Sequence, residues 1–279
     1  PQSFDGQRKI RVGYFSPDLR THAVGFLTAG LFEQHDHSQF EIHAFVWGVA
    51  PANDPYQARI FKACTAVHDL SAMTDADAAQ RARDIGVDIA VDLCGYTKGS
   101  RPGIFAQRAA PCQVNYLGYP GTMGVPWMDV ILADRELIPE SMAGAYTERV
   151  VYLEGCFQVN DEQRVVGDAG SRADWGLPEG VPVLASFNSA HKINPGVIDA
   201  WAEILRVVPS AVLWLVADSA ARQAGLRRRF ESHGVNPDRI IFAEMADYAE
   251  HLARYAHVDL VLDTFPFSGG TSTSDALWG

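Results

Sequence analysis

The chain reads Asp259-Leu-Val-Leu-Asp263-Thr-Phe-Pro-Phe-Ser-Gly269-Gly270-Thr271-Ser-Thr-Ser274-Asp275 near its C-terminal end, and this stretch indicates the fold most clearly. An apolar run ends at an acidic residue, a turn with two glycines follows, and Asp275-Ala-Leu-Trp278 predicts an opening helix. A parallel strand that leads through such a turn into a helix presents free N–H groups and the positive end of the helix dipole. The stretch therefore predicts a site for a phosphate-bearing ligand. The same pattern also fits an ordinary strand–helix loop with Ser/Thr capping.

Segments typical of strands and of helices alternate along the chain, in two series. The first series predicts strands over residues 10–15, 40–47, 87–93, 113–117, 129–133 and 150–153, with helices over 22–34, 54–64 and 74–85. The second predicts strands over residues 183–187, 211–216, 239–242 and 258–262, with helices over 195–208, 220–233 and 247–256. This alternation predicts an α/β fold in which parallel sheets are flanked by helices.

The restart of the pattern predicts two such domains. We expect an N-terminal domain over residues 1–160, a linker over 161–180 and a C-terminal domain over 181–279. Ligands of these folds bind at the carboxyl ends of the strands, so a two-domain arrangement would place the site in the cleft between the domains. The chain ends inside an expected helix, at Leu277-Trp278-Gly279, and we expect it to be a fragment truncated at its C-terminus.

The composition argues against several classes of protein. Apolar residues make up 47% of the 279 residues and charged residues 20%, which is typical of a soluble globular protein. We expect no membrane span, because no apolar run approaches roughly 18 residues, and no secretory signal is visible. The net charge of −11 argues against nucleic-acid binding. An anionic ligand would therefore be held by a few local cations and backbone donors.

The spacing of cysteine, histidine and aspartate predicts neither a bound metal nor a cofactor. The four cysteines form no Cys-x-x-Cys pair, and we expect them to be reduced, which favours a cytoplasmic location. Asp75-Ala-Asp77 opens a predicted helix, so capping explains it better than metal binding. His35-Asp-His37 fits a polar turn.

Five further segments of the sequence are considered together with the first stretch. They are Arg11-Val-Gly-Tyr-Phe-Ser-Pro-Asp18 with His22, Gly95-Tyr-Thr-Lys-Gly99, Ala110-Pro-Cys-Gln-Val-Asn-Tyr-Leu-Gly118-Tyr-Pro-Gly-Thr122, Phe187-Asn-Ser-Ala-His-Lys192 and Arg239-Ile-Ile-Phe-Ala243. Together, over almost the whole chain, they resemble the catalytic region of the O-linked N-acetylglucosamine (GlcNAc) transferases, glycosyltransferase family 41, in a bacterial form. The strings at residues 95–99 and 117–122 are uncommon, which makes the joint resemblance specific.

The resemblance implies a GT-B glycosyltransferase fold, with an acceptor-side N-terminal Rossmann-like domain and a C-terminal one that binds the UDP-sugar. It implies transfer of GlcNAc from UDP-GlcNAc to Ser/Thr hydroxyls of intracellular proteins, with inversion at the anomeric carbon and without a metal. Family members carry tetratricopeptide repeats ahead of this region. No such period appears here, so we expect any repeats upstream of Pro1.

The resemblance also implies the nucleotide site. Lys192 is the catalytic cation that contacts the diphosphate, unless it is a solvated lysine ahead of a helix. Asp275 matches an aspartate that holds the ribose hydroxyls, although a first-turn carboxylate would also suit the helix dipole. His251 lies beside the uracil, or is an ordinary surface or packing residue. The full set of implied UDP-binding residues is Asn188, Ser189, Lys192, Ala246, Tyr248, His251, Gly269, Gly270, Thr271, Ser272 and Asp275.

On the acceptor side, the resemblance and the position after the first strand make His22 the candidate base, because histidine accepts a proton near neutral pH. Alternatively, His22 only shapes the site as a residue at a helix start. Asp92 is a less favoured base, and Lys98 either approaches the acceptor or lies on the surface. The sugar-side loop is implied to contain Leu117, Gly118 and Pro120.

Three departures from the animal family members leave alternatives open. Ser189, Tyr248 and Gly270 each lack a donor or cation that those members carry at the same position. The chain could therefore use another donor sugar or acceptor, or be a catalytically weak module that binds UDP-sugar or peptide. The sequence leaves the acceptor and the oligomeric state open.

Overall fold

Two parallel sheets form the framework of the chain, one in each of two units, Pro1–Gln163 and Arg164–Gly279. The computed structural model describes residues 8–48 and 50–279. In that part of the chain, no helix combines the length and the apolar character that crossing a membrane requires.

The first unit contains a seven-stranded sheet of parallel strands. They are β1 (Ile10–Ser16), β2 (Phe40–Val46), β3 (Ala66–Asp69), β4 (Ile89–Asp92), β5 (Cys112–Asn115), β6 (Val130–Ala133) and β7 (Arg149–Tyr152). Their order across the sheet is β3-β2-β1-β4-β5-β6-β7. The helices between them are α1 (Ala23–Glu33), α2 (Pro55–Ala63), α3 (Asp75–Ile85) and α4 (Pro102–Ala106). The strand order reverses at β1 and β4, and open α/β sheets bind ligands at such a point.

The two faces of this sheet carry separate cores. Successive side chains of a strand point to opposite faces, and β1 accordingly places Tyr14 in one apolar cluster and Phe15 in the other. Phe15 is fully buried and stacks on Phe45 of β2, with ring centroids 4.3 Å apart. Both faces are therefore covered, which explains why these strands read as near-continuous apolar runs.

The second unit contains a four-stranded parallel sheet in the same style. Its strands are β8 (Val183–Ser186), β9 (Val212–Val216), β10 (Ile240–Ala243) and β11 (Leu260–Val261), in the order β10-β9-β8-β11. The helices are α5 (Pro195–Val207), α6 (Ala220–Ser232), α7 (Tyr248–Ala253) and α8 (Thr271–Trp278). Leu213 and Leu215 of β9 pack on one face, and the fully buried Trp214 packs on the other.

The sequence did not predict β3 and α4. β3 lies at the sheet edge, and its four residues, Ala-Val-His-Asp, have no apolar run because they alternate between half-buried and exposed. α4 has only five residues and begins without a side-chain cap, so Pro102 at its first position is the one start signal and the segment is too short to show a helical period.

The start of α8 corrects one expectation. The sequence placed the opening of this helix at Asp275, but the helix begins at Thr271 with Gly270 as the N-cap. The first backbone bond joins Ser274 N–H to the Gly270 carbonyl at 3.1 Å. The hydroxyl residues therefore form the first turn, where the Thr273 hydroxyl donates to the Gly269 carbonyl at 3.0 Å. Asp275 consequently lies beyond the first turn, so it is not the first-turn carboxylate that the sequence allowed.

Residues 164–180, within the stretch predicted as a linker, pack on the second unit. Trp175 meets Trp214 edge-on, with ring centroids 5.8 Å apart, and Arg172 donates to the Val181 carbonyl at 2.7 Å. Arg164 contacts Asp275 at 3.3 Å. The assignment of one domain to the acceptor and the other to the nucleotide stays a prediction.

Candidate active site

The loop between β11 and α8 is organised around one carboxylate oxygen. Asp263 Oδ1 accepts hydrogen bonds from the backbone N–H groups of Thr264 at 2.8 Å and Gly269 at 2.7 Å. It also accepts one from Asn188 Nδ2 at 3.1 Å. Asn188 follows β8, so this oxygen joins the start of the loop, its end and the neighbouring strand. Sequence analysis noted Asp263 as the end of an apolar run but gave it no role.

The N-terminus of α8 carries backbone donors that no side chain caps. The N–H groups of Thr271, Ser272 and Thr273 precede the first bonded amide of the helix, and none has an acceptor among residues 8–48 and 50–279. Ser272 Oγ instead donates to Asn188 Oδ1 at 2.7 Å, which fixes the first turn to the end of β8. Orphan amides at the positive end of a helix dipole suit a bound anion.

Gly269 allows this geometry because a side chain there would displace the hydroxyl groups of the first turn. A Cβ atom at this position would lie 2.5 Å from Thr273 Oγ1, 2.6 Å from Ser272 Oγ and 3.1 Å from Asn188 Oδ1. The need for glycine at residue 269 is therefore steric and comes from the packing of the first helical turn against the loop.

Lys192 lies at the same loop. It ends a short 3₁₀ turn, Ala190–Lys192, and its Nζ donates to the Ser268 carbonyl at 2.9 Å. The ammonium group also lies 4.0 Å from the centroid of the Phe267 ring. Burial lowers the pKa of Lys192 below its usual value, and the charge of Asp263 partly opposes that shift. The structure thus brings Lys192 to the residue that precedes the two glycines, and its contact with a diphosphate stays a prediction.

A second group of side chains surrounds Asp275, which is only 4% exposed. The Tyr248 hydroxyl donates to Asp275 Oδ1 at 2.7 Å, and His251 Nε2 lies 3.7 Å from Oδ2. Burial, together with the Asp275 charge, raises the pKa of Tyr248, so the phenol remains a donor. Three predicted UDP-binding residues from α7 and α8 therefore form one cluster.

Arg254, which sequence analysis missed, orients His251 in this cluster. Its guanidinium donates to His251 Nδ1, and its carbon Cζ lies 4.1 Å from the centroid of the Phe187 ring. Because Nδ1 accepts this bond, a neutral His251 carries its proton on Nε2, on the side of Asp275. Burial lowers the pKa of Arg254 to about 10, which still leaves the group charged at neutral pH. Its spacing of three residues from His251 was the available signal.

The other predicted residues of the second unit lie near these groups. Ala246 lines a cavity of about 690 Å³ that Trp175 and Phe242 also line. Ser189 is exposed and precedes the 3₁₀ turn that contains Lys192. Gly270 serves as the N-cap of α8. Nothing in the structure assigns a ligand to Ala246 or Ser189, so their roles stay predictions.

In the first unit, His22 is the N-cap of α1. Its Nδ1 accepts a hydrogen bond from the Val24 N–H at 3.3 Å, and Asp18 Oδ2 lies 3.8 Å away. Burial lowers the pKa of His22, although the Asp18 charge opposes the shift, so the imidazole is neutral at neutral pH. Because Nδ1 is engaged as an acceptor, the ring carries its proton on Nε2. In this geometry His22 offers a donor rather than the lone pair that a base needs.

Asp92 is the last residue of β4, and the sugar-side loop packs on the turn that follows it. Asp92 is 2% exposed, and its Oδ1 accepts from the N–H groups of Cys94 at 2.8 Å and Gly95 at 3.1 Å. A Cβ atom on Gly118 would lie 2.0 Å from the Leu93 carbonyl oxygen, so the loop after β5 packs directly on this turn.

The remaining acceptor-side residues differ in their surroundings. Leu117 is nearly buried and has a left-handed backbone, with φ of 68°. The Pro120 carbonyl accepts from the Tyr146 hydroxyl at 3.4 Å. Lys98 is exposed. The structure therefore groups Asp92 with Gly118, whereas the functional role of each acceptor-side residue stays a prediction.

Asp92 gives a pH test of the first unit. Burial raises its pKa to about 6, against the effect of its two backbone donors. The folded state therefore holds this proton more tightly than the unfolded state, and stability falls as pH rises from about 4 to about 6. We expect Asp92→Asn to remove this pH dependence. Between these pH values, the free energy of unfolding of the wild type should fall by about 3 kcal/mol relative to that of the variant. Equilibrium urea unfolding across this range measures the difference.

Asp134 is the matched control, because it is also a buried aspartate that follows a strand. Burial alone would raise its pKa, but hydrogen bonds from the N–H groups of Leu137, Phe157 and Glu136 lower it overall. Its contribution to stability is therefore present above the unfolded pKa and lost as pH falls. Asp134→Asn should change the pH slope with the opposite sign, and equal slopes for both variants would contradict this assignment.

Side chains that could bind a metal are dispersed. Among residues 8–48 and 50–279, no three His, Cys, Asp or Glu side chains come together in a way that could hold an ion. The pair Asp75 and Asp77 lies in the first turn of α3, where the Thr74 side chain caps the helix. Asp75 also pairs with Arg101 at 2.7 Å. Capping and pairing thus account for the Asp-x-Asp string.

Comparisons with known proteins identify relatives over almost the whole chain. A model of glycosyl transferase family 41 matches residues 2–169 and 165–279. The chain is 35% identical over 279 residues to the probable UDP-N-acetylglucosamine–peptide N-acetylglucosaminyltransferase SEC of Arabidopsis thaliana. That match covers 98% of the chain and 28% of the relative.

Two solved structures have the same fold. A mutant of the Thermobaculum terrenum O-GlcNAc transferase matches with a TM-score of 0.89 and 33% identity, over 98% of this chain and 52% of that one. Anabaena HepE, in complex with UDP and glucose, matches with a TM-score of 0.61 and 13% identity, over 96% and 78% of the two chains. The second likeness concerns the fold alone. The predicted α/β GT-B fold class, with parallel sheets flanked by helices, is confirmed.

Proposed function

The chain belongs to glycosyltransferase family 41, and from this membership we propose that it moves GlcNAc from UDP-GlcNAc to Ser/Thr hydroxyls of proteins. The chain spans 28% of the length of the Arabidopsis relative and 52% of the Thermobaculum structure. The activity of the whole protein is therefore part of the proposal. The observation that carries it is the position of Lys192, which lies at the loop that leads to the uncapped N–H groups of α8.

The proposed donor site is formed by residues from several segments of the second unit. The diphosphate lies against the N–H groups of Thr271, Ser272 and Thr273 and against the Lys192 ammonium group. Asp275 accepts from the ribose, and His251 and Ala246 adjoin the uracil. Asn188 and Gly269 hold the shape of the loop. Tyr248 acts through its bond to Asp275.

In this mechanism, the acceptor oxygen forms a bond to the anomeric carbon while the bond from that carbon to the β-phosphate oxygen breaks. Negative charge grows on the leaving UDP, and donors fixed in advance at that place stabilise the transition state. One ammonium group and several amides supply this charge stabilisation, so we propose that no metal is required. Displacement from the opposite side inverts the anomeric carbon.

On the acceptor side, we propose that His22 contributes a hydrogen bond through its Nε2–H and helps to orient the acceptor. We propose that the proton of the acceptor hydroxyl passes to Asp92, whose raised pKa of about 6 suits proton transfer near neutral pH. Leu117, Gly118 and Pro120 form the wall beside the sugar, and Lys98 lies on the exposed side of the preceding loop. The four cysteines are unpaired, which supports a cytoplasmic location as part of the proposal.

The proposal is tested by binding and by transfer. We expect calorimetry to give tighter binding of UDP-GlcNAc than of UDP-glucose or UDP-galactose, and radiolabelled GlcNAc to pass from UDP-GlcNAc onto proteins of a cell lysate. Label that transfers equally well from another UDP-sugar would favour the alternative of a different donor. Tight binding of UDP-GlcNAc with no transfer to protein or peptide would favour a binding module instead.

A further inference from the structure

One face of α8 encloses the side chain of Arg164. Its guanidinium Nη1 lies 3.1 Å from Ser274 Oγ and 3.3 Å from Asp275 Oδ1. The ring of Trp278 covers the guanidinium, with Cζ 4.4 Å from its centroid, and the indole N–H donates to the Arg164 carbonyl at 3.2 Å. The Arg164 side chain is only 2% exposed. A buried cation held on several sides has a fixed position.

The two carboxylate oxygens of Asp275 have different surroundings. Oδ1 accepts from the Tyr248 hydroxyl at 2.7 Å and faces Arg164 at 3.3 Å, so protein groups occupy it. Oδ2 lies 3.7 Å from His251 Nε2, which is longer than a hydrogen bond. The carboxylate therefore keeps one oxygen for a further donor, and the direction of that oxygen depends on the groups that hold the other.

Arg164 and Tyr248 hold Oδ1 in different ways. The phenol is a neutral donor, whereas the guanidinium brings the positive charge that makes a buried carboxylate stable in its ionised form. Without Arg164, Asp275 would keep the phenol but lose its nearest buried cation. The carboxylate would then be free to turn towards His251, and Oδ2 would become a poorer acceptor for a ligand.

We propose that Arg164 is a positioning residue for the nucleoside, because it fixes Asp275 so that Oδ2 accepts a hydrogen bond from a ribose hydroxyl. The inference rests on the proposed function, in which Asp275 contacts the ribose, and it adds a residue from a segment that the sequence placed in a linker. Arg164 itself does not touch the ligand. Its effect should therefore appear in the recognition of the ribose hydroxyls rather than in the binding of the diphosphate.

The experiment compares two ligands, UDP and 2′,3′-dideoxy-UDP, by calorimetry. The wild-type chain should bind UDP at least about tenfold more tightly, because a hydrogen bond to a charged group is lost in the dideoxy ligand. In Arg164→Met the ratio of the two dissociation constants, dideoxy ligand over UDP, should fall to about one or two. A purely structural role of Arg164 would weaken both ligands by the same factor and leave the ratio unchanged, which would overturn the inference.

Two further variants complete the test. Arg227→Met is the control, because Arg227 also stacks on an aromatic ring, Phe242, at 4.9 Å and donates to the Ile240 carbonyl at 3.2 Å. Its ratio should equal that of the wild type. If Arg164→Met fails to fold, Arg164→Lys replaces it. A lysine at residue 164 cannot reproduce the planar fork, so its ratio should lie below the wild-type ratio, and an equal ratio would overturn the inference.

The wild-type measurements separate this inference from the proposed function. A wild-type chain that binds UDP well, yet binds the dideoxy ligand equally well, would overturn the role of Arg164 and leave the diphosphate site in place. A wild-type chain that binds neither ligand would overturn the proposed function and the inference with it.

Discussion

Replacing Lys192 with methionine should lower the rate of GlcNAc transfer by about a thousandfold. The ammonium group lies at the loop of the uncapped α8 N-terminus, where the proposed leaving group gains negative charge. Removal of one well-placed donor from such a site costs a factor of about a hundred to a thousand, and a full charge lies at the upper end. Methionine keeps much of the apolar length of lysine, so packing against Phe267 should persist. Steady-state transfer of labelled GlcNAc measures the change.

The control for this prediction is Lys62→Met, at an exposed lysine in the last turn of α2. It changes the net charge by the same amount and should leave the transfer rate within about twofold, as is usual for exposed positions away from a site. If Lys192→Met retained most of the wild-type rate while UDP still bound, Lys192 would not stabilise the leaving group. The enzyme mechanism proposed here would then be wrong.

Replacing Gly269 with alanine should weaken UDP binding by about ten to a hundredfold. The new methyl group would lie 2.5 Å from Thr273 Oγ1 and 2.6 Å from Ser272 Oγ, so these two hydroxyl groups must turn away from residue 269. That rotation breaks the bond from Ser272 to Asn188, which holds the first turn of α8 and its N–H groups in place. Loss of one or two such bonds costs about 1–3 kcal/mol. Calorimetric titration with UDP measures the loss.

Gly225→Ala provides the matched control because Gly225 lies within α6, where a Cβ atom would meet nothing within 4 Å. Alanine in a helix interior is more stable than glycine by about 0.5–1 kcal/mol. This variant should therefore bind UDP like the wild type and unfold at a slightly higher urea concentration. Equal UDP affinity in the two alanine variants would show that the loop geometry at Gly269 does not matter for the nucleotide.

The sequence predicted those parts of the site that lie close together along the chain. The glycine pair, the hydroxyl residues and the strand before them follow one another, and local rules of turns and helix starts apply to them. The exact start of α8 was predicted four residues too late. Ser and Thr favour caps in general, whereas here Gly270 caps the helix and the hydroxyl residues enter its first turn.

Two contacts that the sequence did not predict join residues far apart along the chain. Arg164 contacts Asp275 over 111 positions, and Asn188, itself a predicted residue, contacts Asp263 over 75. No spacing rule relates such pairs, because their proximity results from the folded sheet. Arg164 also lay in a polar stretch without periodicity, where a charged side chain predicts exposure. Its burial under Trp278 became visible only in the structure.

The role of His22 shows a different limit of sequence analysis. Residue type and position predicted a group that could accept a proton, and the helix start was located correctly. The ring nitrogen that carries the proton is determined by the hydrogen bond of 3.3 Å from the Val24 N–H to Nδ1. The sequence does not reveal this bond. The helix cap engages Nδ1 of His22, and the role of this residue as a base stays a prediction.

The single oxygen of Asp263 that gathers donors from Thr264, Gly269 and Asn188 has a consequence for the energetics of association. All these bonds are made between groups of the protein, so the segment between β11 and α8 is held in shape by the chain itself. Few torsions then remain to be frozen on encounter, and the entropic penalty that weakens recognition by disordered segments is small. The loop loses its conformational entropy when the protein folds rather than when it binds. Selectivity among nucleotides can therefore follow directly from the chemical groups of each nucleotide.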